Sequence, residues 1–267
     1  MKTYRVGIAG YGAIGKSLVK ILDQGIDGIH LTAIAVRDPS RPPDLKQCAN
    51  PPLVTTIEDL EPHCDIVIEC APARLLPAIA EPFLRAGKKV VVLSSGALLR
   101  HPELLDLAKR HGGQILIPSG AIVGLDALIA AAEGTIYSVK MVTRKPVRGL
   151  LGAPYLEQNN IDIAKITEPT LIFRGTPREA AIGFPANLNV SVSLALAGIG
   201  PDQTTLEIWA DPALNRNKHR VEVESDAASF SMEIQNIPSE NPKTGRITAQ
   251  SVVALLRKFS APVCVGT

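Results

Sequence analysis

The six residues Gly10-Tyr11-Gly12-Ala13-Ile14-Gly15 form a G-x-G-x-x-G hexad between a short apolar run and a stretch of helical spacing. This arrangement suits a phosphate. Gly10 permits a tight turn, Gly12 lets a pyrophosphate approach the backbone, and Gly15 lets the next helix pack closely on the strand. The first amides of that helix, at Ala13 and Ile14, add free N–H donors at the positive end of the helix dipole. Histidine is the side chain suited to acid–base work near neutral pH, and there are five: His30, His63, His101, His111 and His219. The four cysteines, Cys48, Cys64, Cys70 and Cys264, have no C-x-x-C spacing. No His/Asp/Glu cluster has ligand spacing, so no metal is expected.

A hexad alone is weak, because glycines also serve ordinary turns; its surroundings strengthen it. Residues 5–9 read as a strand, and 13–22 as a helix with Ile14, Leu18 and Ile21/Leu22 on one face. Strands follow at 31–36, 65–69, 89–93 and 114–117, with helices at 74–86, 102–111 and 122–132 and a Pro-rich loop after the second strand. Short apolar strands alternating with helices predict a doubly wound parallel sheet, a Rossmann α/β domain over residues 1–130. Ligands bind beyond the carboxyl ends of such strands. Those ends carry Gly10-Tyr11-Gly12, Arg37-Asp38, Glu69-Cys70-Ala71, Ser94-Ser95-Gly96 and Ser119-Gly120-Ala121, small or turn-forming residues that leave a floor for a flat ligand. Cys70, Ala71 and Ser94 are therefore expected at the cofactor, Cys70 as a small spacer and not a nucleophile. The choice between NAD and NADP turns on the second strand end. Asp38 suits a ribose hydroxyl and Arg37 a 2′-phosphate, so NADP is expected to be accepted, with NAD also open.

The alternation stops after about residue 133. Strands are expected at 136–143 and 170–173 around a loop at 145–167, then a helix at 178–196 interrupted by Pro185. Strands at 205–210, 219–224 and 229–235 follow, the last two alternating as in a half-buried antiparallel sheet. The expectation is a smaller α+β domain with a mixed or antiparallel sheet over 131–245, serving substrate, catalysis and dimerisation. A C-terminal helix within 246–267 packs back on the first domain. Among the histidines, only His219 shares strand parity with Val221 and Val223 on an inward face; it could be an acid–base group or could cap a sheet edge.

Four stretches, "SGAIVGLDAL" (119–128), "FPANLNVSVSLALAG" (184–198), "ADP…NKH" (210–219) and "ENPKTG" (240–245), resemble the L-aspartate dehydrogenase family, and the likeness runs over essentially the full length. The resemblance implies NAD(P)-dependent interconversion of L-aspartate and iminoaspartate, which hydrolyses to oxaloacetate and ammonia. It also implies a dihydrodipicolinate-reductase-like second domain, a homodimer and a link to NAD biosynthesis. The family's catalytic histidine falls on His219 and its cofactor contacts on Ala121 and Asn189; the residue at Arg37 varies within the family. A dicarboxylate needs cations, for which Lys145 and Lys243 are the candidates, with Asn189 as a further substrate contact. Arg144 is a further candidate cation beside Lys145.

Bulk composition agrees with a small-molecule enzyme. The 267 residues are 46% hydrophobic but only 4% aromatic, giving an aliphatic core, and the formal charge of +2 argues against nucleic acid or an anionic membrane as partner. No secretory signal or membrane-span pattern is present, so a cytoplasmic protein is expected. Two other readings remain: a different imine or carbonyl reductase of the dihydrodipicolinate-reductase type, although that family's His-His-and-Lys motif is absent, and a dinucleotide sensor without turnover.

Overall fold

The computed structural model describes residues 3–185, 188–238 and 245–266. They divide into two compact units. One comprises the chain up to Gly120 together with Thr248–Cys264, the other Ala121–Ile247.

The first unit is built on six parallel strands: β1 Tyr4–Ala9, β2 Ile29–Ala35, β3 Leu53–Thr55, β4 Ile66–Glu69, β5 Lys89–Val92 and β6 Gln114–Leu116. Their order is β3-β2-β1-β4-β5-β6, the doubly wound Rossmann arrangement. The strands are apolar throughout because both faces are covered. On one face, α1 (Ala13–Asp23) contributes Leu18, Val19 and Leu22 to a cluster with Val6, Ile8, Ile34, Ile66 and Ile68. On the other, α2 (Leu76–Arg85) and α4 (Glu103–His111) pack Leu76, Ile79, Phe83, Leu104 and Leu107 against Val67, Val90 and Val92. The short α3 (Ser95–Leu98) follows β5. The strand β3 lies just past the prolines expected to form only a loop; its three residues are too few for periodicity to register.

The helix α9, Ile247–Lys258, belongs mostly to this first unit although it closes the chain. Ala249, Val252 and Leu256, spaced i, i+3 and i+7, join the α1-side cluster. The Ser251 hydroxyl donates to Thr248 O and accepts from Gly120 N at 3.0 Å, joining the two places where the chain crosses between units.

The second unit holds a mixed five-stranded sheet in the order β11-β10-β7-β9-β8. Its strands are β7 Ile136–Lys145, β8 Thr170–Gly175, β9 Thr205–Ala210, β10 Asn217–Ser225 and β11 Ser229–Asn236. β10 runs antiparallel to β7 and β11, whereas β7 and β9 are parallel. Three helix expectations are corrected here. Helix α5 starts at Leu125 and not at 122, because Gly124 turns left-handed (φ +74°) and the residues before it form a turn. The loop at 145–167 contains α6, Pro154–Gln158. The helix at 178–196 is two, α7 Pro177–Gly183 and α8 Asn189–Ala197. α7 opens on a reciprocal cap in which Thr176 Oγ1 accepts from Glu179 N and Glu179 Oε2 accepts from Thr176 N. It ends at Phe184, which packs against Tyr155 and Phe173 at ring-centroid distances of 5.0 and 5.7 Å. Among the described residues, no helix is long and apolar enough to cross a membrane.

Candidate active site

In the first unit the hexad leaves β1 and enters α1 as expected. Gly10 has φ +106°, and a Cβ there would lie 2.7 Å from Cys70 O and 2.9 Å from Ala71 N, so only glycine lets the two strand ends approach. A Cβ at Gly15 would overlap Gly10 O, whereas one at Gly12 would meet nothing within 4 Å. Gly12 therefore faces open space. It is the N-cap of α1 without a side-chain cap, and no acidic residue lies in the first turn. A helix start with unclaimed amides beside an open glycine fits a pyrophosphate.

The neighbouring strand ends divide in their roles. Arg37 is exposed and makes no ion pair or side-chain hydrogen bond among the described residues. Asp38 by contrast accepts from Ser40 N and from Ser40 Oγ (2.6 Å). The Cys70 thiol is driven well above its ordinary value by burial and by Glu69, which removes the thiolate a nucleophile would need. At Ser94, the amide and the hydroxyl both donate to Glu69.

The second unit gathers a different set of groups on one face of its sheet. In the β7–β10 ladder, His219 pairs with Thr143 and lies on the parity of Val221 and Val223, all buried. Thr143 Oγ1 and His219 Nδ1 share a short hydrogen bond. Lys145, two residues beyond Thr143 on the same face, is only 5% exposed, unusual for a lysine. Burial first, and the Lys145 charge second, push the His219 pKa down to about 3. At neutral pH the imidazole is therefore uncharged. His30, His63 and His111 are exposed, and His101 is paired with Glu103.

Arg144, one residue away, serves the opposite face, where it pairs with Asp211 at 3.6 Å and lies over the Trp209 ring. Asn189 is exposed at the first position of α8. Lys243 lies outside the described residues. Ala121 precedes α5 by a turn instead of opening it, and its carbonyl accepts from Asn236 Nδ2 at 3.1 Å.

Sequence reading missed Thr143, Asn236 and two arginines. Asn236 is 4% exposed, and its carboxamide oxygen is buried with no hydrogen-bond partner among the described residues. It lines a cavity of about 20 Å³, room for one water, with Arg148, Arg216 and Asn217. Asn217, on the His219 parity, pairs with Asn236 across the ladder. Strand alternation from the assigned His219 would have pointed to Asn217, but pairing a β11 residue with it requires the register.

The family model described as "Aspartate dehydrogenase, C-terminal" matches residues 126–259, and that described as "Homoserine dehydrogenase, NAD binding domain" matches 10–118. The L-aspartate dehydrogenase of Bradyrhizobium diazoefficiens is 58% identical over 264 residues, covering 98% of this chain and 94% of that one. The chain belongs to the aspartate dehydrogenase family. L-aspartate dehydrogenase 3 of Bordetella bronchiseptica is 59% identical, covering 98% of this chain and 97% of its own. The crystal structure of aspartate dehydrogenase from Thermotoga maritima shares the fold with a TM-score of 0.75 at 23% identity, covering 98% of this chain and 99% of that one. In aspartate dehydrogenase terms, the model over residues 10–118 spans the hexad and strands β2 to β6, and the model over 126–259 spans the sheet that carries His219 and Lys145.

Proposed function

We propose that this chain is an L-aspartate dehydrogenase, oxidising L-aspartate at Cα to iminoaspartate, which water converts to oxaloacetate and ammonia. The observation that carries this reading is the buried pair of a neutral His219 and a cationic Lys145, in a chain closely similar to proteins of that name. The open face of Gly12 and the α1 amides of Ala13 and Ile14 fit the pyrophosphate of a nicotinamide dinucleotide, with Cys70, Ala71, Ala121 and Asn189 as further contacts. That cofactor, when bound, supplies the hydride acceptor. Arg37, exposed and unpaired among the described residues, supports acceptance of NADP beside NAD, since Asp38 already holds Ser40.

His219, uncharged at rest, accepts a proton as the substrate's ammonium group loses one on the way to the imine and passes it to solvent; in the hydrolysis it takes a proton from the attacking water and returns it to the departing ammonia. Thr143 holds Nδ1, leaving Nε2 to exchange the proton. The Lys145 ammonium attracts a substrate carboxylate, with Lys243 and Asn189 as further candidate substrate contacts. Once that carboxylate neutralises Lys145, the lysine's push on His219 weakens, so the imidazole becomes more basic when substrate arrives. The family likeness also supports a cytoplasmic homodimer feeding NAD biosynthesis.

Absorbance at 340 nm with L-aspartate and NAD or NADP tests the reading. Turnover is expected in the wild type. His219→Ala should lose at least about 100-fold in kcat while still binding dinucleotide, the usual scale for a general base. Dinucleotide binding without turnover of aspartate in the wild type would favour the sensor and reject the enzyme.

A further inference from the structure

Glu69 ends β4 and is completely buried. Its Oε2 accepts from Leu93 N at 3.1 Å and Ser94 N at 2.8 Å, and its Oε1 accepts from Ser94 Oγ at 3.0 Å. Among the described residues no cation pairs with it, and burial lifts its pKa to about 7. A carboxylate buried without a cation is costly. The β4–β5 ladder, in which Glu69 pairs with Val92, does not require it. What the ladder cannot reach is the turn just beyond Val92, whose two amides point to this one side chain.

That turn lies at a particular place. In the order β3-β2-β1-β4-β5-β6, the switch point falls between β1 and β4, where a doubly wound sheet binds its ligand. Glu69 is followed by Cys70 and Ala71, the backbone that Gly10 abuts. One carboxylate thus ties the end of β5 to the strand end that packs on the glycine loop.

We propose that Glu69 is a positioning residue for dinucleotide binding, holding the turn after β5 in register with the ends of β1 and β4. This rests on the dinucleotide reading of the hexad. Glutamine can reproduce the arrangement, with its oxygen accepting from both amides and its NH2 donating to Ser94 Oγ. Alanine cannot, and leaves both amides unpaired.

The test is titration of the full chain with NADH and NADPH by fluorescence, together with kcat at saturating dinucleotide. Glu69→Ala should weaken dinucleotide binding about tenfold or more, the scale of losing hydrogen bonds to a charged group, with kcat changed much less. Glu69→Gln should restore binding to within about twofold. If the alanine variant does not fold, Glu69→Asp replaces it; its shorter side chain falls short of the turn and should weaken binding likewise. Wild-type affinity in the alanine or aspartate variant, or a glutamine variant as weak as alanine, would overturn the proposal while leaving the dinucleotide site intact. A wild-type chain that binds neither nucleotide would overturn both.

Discussion

A lysine only 5% exposed lies close enough to a buried histidine to act on its charge, a costly place for an ammonium. Burial first and the ammonium second keep His219 neutral, and removal of the lysine should be visible on the imidazole. In Lys145→Met, the His219 pKa should rise from about 3 yet stay below the ordinary 6.5, because burial is the larger cause and remains. NMR titration of the histidine ring protons reads this directly; an unmoved midpoint would show that the two side chains do not interact. The same variant should raise KM for aspartate. Arg37 calls for a different measurement. Arg37→Ala should raise KM for NADP about tenfold and leave that for NAD nearly unchanged, since a lost charge-assisted contact to phosphate is worth about 1.5–3 kcal/mol. Equal effects on both nucleotides would exclude a 2′-phosphate role.

The first unit also depends on α9. It is drawn from the far end of the chain, yet Val252 and Leu256 are fully buried among residues of β1, β4 and α1. Leu256→Ala should lower the unfolding free energy by about 2–4 kcal/mol, the range for removing a buried leucine side chain. Urea unfolding followed by circular dichroism checks this, and a loss under about 0.5 kcal/mol would mean that the helix is not part of that core. The elements also show where local pattern loses its grip. Alternation around Val221 and Val223 correctly turned His219 inward, because a strand's period of two carries parity along the chain. The helices at 122–132 and 178–196 were drawn too long or as one, since apolar spacing continues through backbone that Gly124 and the segment around Pro185 divert.

Across the whole molecule, Glu69 and His219 act oppositely on stability. Glu69 has its folded pKa raised from 4.5 to about 7, so its contribution is present below the unfolded value and is lost as pH rises through about 7. His219 has its folded pKa lowered from 6.5 to about 3, so its contribution is present above 6.5 and is lost as pH falls through about 3. Between about pH 5 and 6.5 each sets a slope of about 1.4 kcal/mol per pH unit, with opposite signs. Glu69→Gln should therefore make total unfolding free energy climb more steeply with pH, and His219→Gln should make it climb less or fall. Equal slopes in these two variants and the wild type, measured by urea unfolding across that range, would refute the assignment.

The amino-acid sequence by itself determined the glycine turn, the parallel αβ alternation and the inward parity of His219. Each depends on residues close along the chain, whose spacing is the signal. Only the tertiary structure decided that Lys145 is buried beside that histidine, that Ser94 serves Glu69, and that Asn236, whose buried oxygen has no partner among the described residues, pairs with Asn217. Burial and hydrogen-bond partnership are set by strands and turns that meet far from their neighbours in sequence, and no local period records them.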